Sequence, residues 1–334
     1  MSLEVRDPGL TQVVGESITL RQVATGIDFT EGALWQPQRR ELLLSDIPNS
    51  RIHCWSEAPG VTLVRDPSRM PNGLAWVRQG WLLACEHASS QVTRTEPDGS
   101  ISVLASHYKG RALNSPNDIV TRSDGRIYFT DPTYGRTAFY GAPREPELAF
   151  RGVYAMRGGS DTPELLVGDF AQPNGLCFSA DERHLFVNDT ERQHIRVVEV
   201  AGDGGLANGK LWADTVGSGE GAPDGMKLDS AGNLYCCGPG GVHVFTPQVP
   251  TGRQGCATER PRRAMNSSVR RAQVSSANRR SRRLAGPGFR RRTPVTVADR
   301  GLTWRCRRSS SSSGWQRGRP IALPDSQWAV RQAG

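Results

Sequence analysis

Several features of membrane-bound, secreted and helical proteins are missing from this chain of 334 residues. No apolar run approaches the roughly 20 residues that cross a bilayer, and no basic N-terminal start precedes a short apolar stretch. The body of the chain also lacks any useful length of helical 3.6-residue periodicity. We therefore expect a soluble, cytoplasmic protein with little helix and no membrane partner.

The seven cysteines form no C-x-x-C pair and have no His partner at zinc-finger spacing. Such a scattered, odd-numbered set indicates reduced thiols buried mostly in strands, with the adjacent Cys236 and Cys237 on opposite faces of one strand. No G-x-S-x-G elbow, phosphate-binding loop or dinucleotide fingerprint occurs either. Nucleophilic serine catalysis and nucleotide chemistry therefore have no support in the sequence.

One pattern is present in five copies between Thr30 and Phe245. Each copy begins at a Pro-Asn, Pro-Asp or Thr-Glu dipeptide and continues with short apolar strands separated by polar turns. The copies start 41, 45, 57 and 50 residues apart. Four-stranded meanders of about 40 to 50 residues in series are typical of β-propellers, whose blades surround a central channel. The predicted fold class is therefore all-β, of the propeller type.

A side chain with an oxygen ligand recurs at the start of the inner strand of every copy. Equivalent positions of propeller blades share one height and radius, so these side chains are predicted to meet at the channel mouth. They are Glu31, Asn72, Asn117, Asn174 and Asp224. Two carboxylates and three amides suit a hard divalent cation with positions open for water or substrate. Taken singly the Asn residues are more often turn residues, but for the set we favour the ligand interpretation.

Three further residues are weaker candidates. His87 ends a strand near the mouth and is a candidate substrate contact, although a lone His is more often a core or surface residue. Asp118 and Asp131 flank the strand that follows Asn117, and we expect them to support the site or to accept backbone hydrogen bonds.

The motifs of these copies resemble the gluconolactonase/senescence-marker-protein (regucalcin-like) family of six-bladed propellers. The resemblance runs from about Phe29 to Phe245. It rests on EGALW, LLLSDIPNSRIHCW, ACEH, LNSPNDIVTRSDGRIYFTDPTYG, AQPNGLCFSADERHLFVNDT and APDGMKLDSAGNLY. It implies a hydrolase that opens a small sugar lactone, with one bound divalent cation. Ca²⁺ is the favoured ion, with Mg²⁺, Mn²⁺ and Zn²⁺ as alternatives.

The resemblance also implies residue roles. The family's metal ligands are a Glu, two Asn and an Asp, which match Glu31, Asn117, Asn174 and Asp224 here. Asp224 would act in addition as the general base that activates water.

The resemblance assigns other residues to the substrate. Asn72 is outside the usual ligand set, so we assign it to substrate contact together with His87 and Tyr134. The segment from Tyr134 to Tyr154 resembles the family's long loop over the mouth, a candidate lid and specificity element.

The resemblance ends near Val249, where a sixth blade should follow. We therefore predict an N-terminal segment, 1–28, with a candidate ring-closing strand, then a lactonase-like propeller domain, 29–248. An atypical tail, 249–334, follows, in which the sixth blade is degraded or missing. Residues 251–334 contain 20 Arg, no Lys and three acidic residues, whereas the body is acidic, so the net charge of +9 describes neither part.

Three interpretations of the tail stay open. It is a disordered arm for RNA or acidic partners, a solvated tail without a role, or a frameshifted translation of the sixth blade. We favour the third, because Arg, Ser, Pro, Gly and Ala without Lys are typical of a GC-rich gene read out of frame. Any nucleic-acid contact is expected at the tail alone.

An open ring could leave the chain unstable or inactive. A non-catalytic propeller that binds calcium or a partner protein is therefore the alternative function. The sequence does not indicate an oligomeric state.

Overall fold

Short strands dominate the computed structural model, which describes residues 2–4, 9–15, 20–157, 162–246, 271–275 and 293–298. Helical structure in these ranges consists of α1 (Gly9–Val14) and one 3-10 turn, Tyr134–Arg136. Neither of these described helices is long and apolar enough to cross a membrane. The apolar runs are used in sheets, as the repeat of short apolar strands predicted.

Four of the sheets are four-stranded antiparallel meanders, and a fifth is such a meander with one more strand at its edge, so each copy of the repeat has one meander. Two strands, β1 (Ser2–Glu4) and β2 (Leu20–Ile27), precede them. Blade one is β3 (Thr30–Gln36), β4 (Glu41–Asp46), β5 (Arg51–Trp55) and β6 (Val61–Arg65). Blade two is β7 (Pro71–Trp76), β8 (Leu82–Glu86), β9 (Gln91–Thr95) and β10 (Ile101–Ala105). A small hairpin follows, β11 (His107–Tyr108) and β12 (Arg111–Ala112).

The later blades follow the same order. Blade three is β13 (Ile119–Thr121), β14 (Ile127–Asp131), β15 (Arg151–Met156) and β16 (Glu164–Phe170). Blade four is β17 (Pro173–Phe178), β18 (His184–Asp189), β19 (His194–Val200) and β20 (Leu206–Asp214). Blade five is β21 (Met226–Leu228), β22 (Leu234–Gly238), β23 (Gly241–Phe245) and β24 (Arg271–Ser275), and β25 (Thr293–Ala298) comes last.

Two strands of the tail pair with other parts of the chain. β24 pairs with β23 as the fourth strand of blade five and also pairs with β1, while β25 pairs with β2. In the described ranges β2 and β25 form a two-stranded sheet that joins an N-terminal strand to a strand of the tail. The all-β propeller with five complete blades is confirmed. The rest of the tail lies outside the described residues, so its predicted origin and the domain boundaries stay predictions.

Apolar side chains fill the spaces between neighbouring sheets. Leu43 of blade one packs in one cluster with Leu74 of blade two, and the stacked rings of Phe129 and Tyr154 in blade three share a cluster with blade two. The cluster between blades four and five also takes in Leu10 of α1. These layers hold blade against blade, so the inner strands converge on one channel.

The described cysteines are free thiols, as predicted. Burial raises the pKa of the Cys177 thiol to about 12, and it also holds the pKa values of Cys85 and Cys236 above the usual range. Cys236 and Cys237 are both fully buried in β22. These thiols are therefore packing residues without nucleophilic character.

Candidate functional site

The five oxygen-bearing residues of the repeat line one cavity of about 40 Å³ where the inner strands begin. The chain separates them by almost two hundred positions, and the propeller brings them together: Glu31, Asn72, Asn117, Asn174 and Asp224. Four are buried, with only 3–6% of each residue exposed, and Glu31 is half-buried. Asp118 and Lys227 also line the cavity, and no feature of the repeat predicted Lys227 there.

The inner strands of blades one, two and four bend close to their candidate ligands. The pairing register shifts between Glu31 and Leu34 in blade one, between Pro71 and Leu74 in blade two, and in the same place in blade four. An irregularity of this kind turns the start of a strand away from the plane of its sheet. It therefore aims the side chain toward the channel instead of the core between the blades.

The backbone at three candidate ligands is held by the blade before it. Ser45 Oγ donates to the Asn72 carbonyl oxygen at 2.7 Å, and Thr130 Oγ1 donates to the Asn174 carbonyl oxygen at 2.8 Å. Asn188 Nδ2 donates in the same way to the carbonyl oxygen of Asp224. Each donor lies in the second strand of its blade, one residue before the strand ends. Sequence reasoning missed these donors, although their common position in the repeat was a usable signal.

Glycines allow this close approach of the blades. A Cβ atom on Gly32 would lie 2.0 Å from the carbonyl oxygen of Asn72. On Gly175 it would lie 2.3 Å from that of Asp224. The Gly that follows the ligand in blades one and four is therefore required for packing against the next ligand.

We expect Gly175→Ala to lower the free energy of unfolding by about 1–3 kcal/mol, because the added methyl group collides with the Asp224 backbone. Gly225→Ala is the matched control. It changes the equivalent glycine of blade five, whose added Cβ has no described atom within 4 Å. Denaturant unfolding of both variants measures the difference, and equal stability of the two would contradict the proposed contact.

The amide of Asn174 has a defined orientation. Its Nδ2 donates to Thr190 Oγ1 at 3.1 Å, and that hydroxyl donates to the Pro223 carbonyl oxygen at 2.7 Å. Because Nδ2 is engaged, Oδ1 is the amide atom left to serve as an acceptor or ligand in the cavity.

His87 orients Asn72 in a similar way. His87 Nδ1 lies 2.6 Å from the Tyr140 carbonyl oxygen, which only accepts, so Nδ1 carries the proton. The other ring nitrogen, Nε2, is then an acceptor for Asn72 Nδ2 at 3.2 Å. His87 is 1% exposed and is not among the residues that line the cavity. Its predicted contact with substrate stays a prediction.

The predicted lid begins at the 3-10 turn, Tyr134–Arg136, and is fastened to two blades. The rings of Phe139 and Tyr140 meet the Phe29 ring edge to face, with centroids 5.6 and 5.0 Å away. Arg144 Nη1 donates to the Ala88 carbonyl oxygen at 2.8 Å. Tyr134 is half-buried and does not line the cavity, so its substrate contact also stays a prediction.

Carboxylates at the ends of the second strands anchor the segments that lead into the site. Asp131 accepts hydrogen bonds from the backbone N–H groups of Asn114 and Ser115 at 2.9 and 2.8 Å. Asp46 and Asp189 accept backbone N–H groups at the same place in blades one and four. Of this set, sequence reasoning had found only Asp131, as an acceptor of backbone hydrogen bonds.

Asp118 ties blade three to blade four. Its Oδ1 accepts from the N–H of Ile119 at 2.9 Å and its Oδ2 from the N–H of Leu176 at 3.2 Å. Both carboxylate oxygens are therefore used by backbone, as expected for a supporting residue.

Asp131 makes stability depend on pH. Burial raises the pKa of Asp131 from an ordinary 3.8 to about 7, despite its two backbone hydrogen bonds. Between these two values the folded chain binds one proton more than the unfolded chain. Stabilisation from this group is therefore fully present below about pH 4 and is lost as pH rises through 7, at about 1.4 kcal/mol per pH unit.

Unfolding of the wild type and of Asp131→Asn at several pH values tests this. The wild type should lose stability relative to the variant between about pH 4 and pH 7. Parallel stability curves for the two proteins would show that Asp131 is ionised throughout.

The donor chemistry of the cavity fits a hard divalent cation. Glu31 and Asp224 supply carboxylates, and Asn117 and Asn174 supply amide oxygens. In the described ranges no group of three or more His, Cys, Asp or Glu side chains is placed to hold a metal. A ligand set here would therefore depend on its amide oxygens, which leaves soft transition metals disfavoured.

Comparison with known proteins agrees with the fold and the motifs. A family model described as "SMP-30/Gluconolactonase/LRE-like region" matches residues 29–261. Gluconolactonase from Zymomonas mobilis is 29% identical over 261 residues, which cover 72% of this chain and 73% of that protein.

Solved structures agree as well. A gluconolactonase from Xanthomonas campestris is 32% identical, with a TM-score of 0.67 over 73% of this chain and 81% of that one. A calcium-binding protein, regucalcin from Agrobacterium tumefaciens, is 21% identical, with a TM-score of 0.54 over 68% of this chain and 74% of that one. At that identity the likeness to regucalcin shows the shared propeller fold alone.

Proposed function

The chain belongs to the SMP-30/gluconolactonase/LRE-like family, and from that premise we propose that it is a metal-dependent hydrolase of sugar lactones. Relatives that are gluconolactonases support a lactone hydrolase as the broad class. Metal dependence is proposed because four oxygen-bearing side chains line one cavity: Glu31, Asn117, Asn174 and Asp224. We propose these four as the ligands of one divalent cation, with Ca²⁺ favoured.

The cation and the side chains of the cavity have different roles in the proposed hydrolysis. A bound cation supplies positive charge for the lactone carbonyl oxygen. Asp224 accepts a proton from the attacking water as the water oxygen bonds to the carbonyl carbon. The bond from that carbon to the ring oxygen then breaks, and the ring oxygen takes up the proton to give a hydroxy acid. The hydrogen bond from Asn188 to the Asp224 backbone keeps the base in place.

The uncharged residues of the cavity suit the hydroxyl groups of a sugar. Asn72 presents its Oδ1 because His87 accepts from its Nδ2. An amide oxygen accepts a hydrogen bond from a sugar hydroxyl, and the buried position excludes competing water. We therefore assign substrate orientation to Asn72 and the fixing of its amide to His87.

An assay of the purified full chain tests the proposal. We expect acid release above the spontaneous rate from glucono-1,5-lactone and a pentonolactone with Ca²⁺, Mg²⁺, Mn²⁺ or Zn²⁺, and none above background from an acyclic ester. A pH indicator that takes up the released protons measures the rate of acid release. Saturable Ca²⁺ binding without turnover on any lactone would instead support the non-catalytic binding propeller.

A further inference from the structure

A second and larger cavity lies at the opposite ends of the inner strands of blades two and three. Its volume is about 650 Å³, and its walls come from the turns after β7 and β13 and from the neighbouring outer strands. Asn72 and Asn117 precede these strands or begin them, whereas Arg78 and Arg122 follow them. The cavity is therefore separate from the site proposed for lactone hydrolysis. Ligand binding at this cavity does not depend on that function.

Arginine is the main charged residue of this cavity, and Asp124 is the one acidic residue in its lining. The arginines are Arg78, Arg94, Arg122, Arg126 and Arg157. Asp124 pairs with both Arg122 and Arg126, and Arg94 pairs with Glu96 at 2.6 Å. No carboxylate of the described residues forms an ion pair with Arg78 or Arg157. The cavity thus keeps an excess of positive charge after its internal pairs are counted.

Several of these guanidinium groups are held in place before any ligand arrives. Arg78 Nη1 donates to the Ser123 carbonyl oxygen at 3.1 Å, which crosses from blade two to blade three. The Arg94 guanidinium lies over the Trp81 ring, 4.6 Å from its centroid. Arg122 Nε is buried and lies 3.9 Å from Glu182 Oε2, too far for a hydrogen bond, and it has no hydrogen-bond acceptor among the described residues. A buried donor of this kind is costly unless an acceptor is supplied.

We propose that this cavity binds a small organic anion that carries phosphate or carboxylate groups. The planar guanidinium group matches both kinds of acceptor with two parallel hydrogen bonds, and five arginines line this one space. The volume lies in the range of small-molecule sites, about 300–1,000 Å³. Trp81 and Met156 supply apolar surface for the carbon part of the ligand.

Calorimetric titration of the full chain with three matched hexoses tests the proposal. Glucose 6-phosphate carries the phosphate, glucuronate carries the carboxylate, and glucose is the neutral control. We expect saturable one-to-one binding of at least one anion and none of glucose, and the better anion identifies the ligand class. In Arg78→Gln/Arg157→Gln the Kd should rise by at least about tenfold, because two guanidinium groups without internal carboxylate partners are lost.

A matched double variant controls for net charge. Arg39→Gln/Arg40→Gln removes two exposed arginines from the equivalent turn of blade one and should leave the Kd unchanged. Thermal unfolding checks that both double variants are folded. Failure of both anions to bind the wild type, or equal weakening in the two double variants, would overturn the proposal.

Discussion

Asp224→Asn lowers kcat/KM for sugar-lactone hydrolysis by at least about a thousandfold, if Asp224 is both general base and metal ligand. A positioned general base alone contributes about 10²- to 10⁴-fold, and the lost charge weakens cation binding as well. The substitution preserves the shape of the side chain. It also preserves the hydrogen bond from Asn188, which reaches the backbone carbonyl oxygen and not the carboxylate. The loss should therefore be chemical and not structural.

Initial rates of acid release, measured with saturating metal, check this expectation. Asp203→Asn makes the same change in an exposed hairpin turn and should keep wild-type activity. Thermal unfolding of Asp224→Asn should stay close to the wild type. A folded Asp224→Asn variant with more than about a tenth of wild-type activity would exclude Asp224 as the base.

The repeat made the fold and the meeting of the candidate ligands predictable. Each inner strand begins with the same pattern of a polar turn residue and a short apolar strand. Equivalent positions of propeller blades lie close together, which predicted that Glu31, Asn117 and Asp224 share one cavity, and they do. The prediction worked because it used relative position within a blade. It did not depend on the turn preference of any single Asn.

Other parts of the site depend on contacts between distant segments, which the repeat does not encode. The proton position on His87 follows from the Tyr140 carbonyl, which belongs to a loop without a counterpart in the other blades. Lys227 enters the cavity from the middle of β21, a position where the pattern indicated only strand. The arginine cavity likewise combines turns of two blades with Arg157 at the end of a third strand. Contacts of this kind, between segments far apart in the sequence, can be identified only from the folded structure.

The pairing of β2 with β25 has a consequence for Glu31. Glu31 lies in the inner strand of blade one, and the apolar cluster beside that blade is shared with β2. The geometry of Glu31 therefore depends in part on the two-stranded sheet formed by β2 and β25.

Removal of the divalent cation should abolish lactone hydrolysis reversibly. We expect a chelator to reduce the rate of acid release to background, because the cavity then lacks the divalent charge that would polarise the lactone carbonyl. Dialysis followed by a panel of divalent ions should restore activity, with Ca²⁺ or another oxygen-preferring ion most effective. Undiminished activity after exhaustive chelation would contradict metal dependence, without excluding a lactonase.

Glu31→Gln separates metal binding from catalysis in the same experiment. Loss of one of two formal charges should raise the Kd for Ca²⁺ by roughly 10- to 100-fold, measured by calorimetry without any substrate. Excess metal should then recover much of the activity, whereas it should not rescue Asp224→Asn, which lacks the base. Glu164→Gln, at an exposed position of β16, serves as the matched control and should bind Ca²⁺ like the wild type. If Glu31→Gln binds Ca²⁺ as tightly as the wild type, Glu31 is not a ligand and the cation must be held elsewhere.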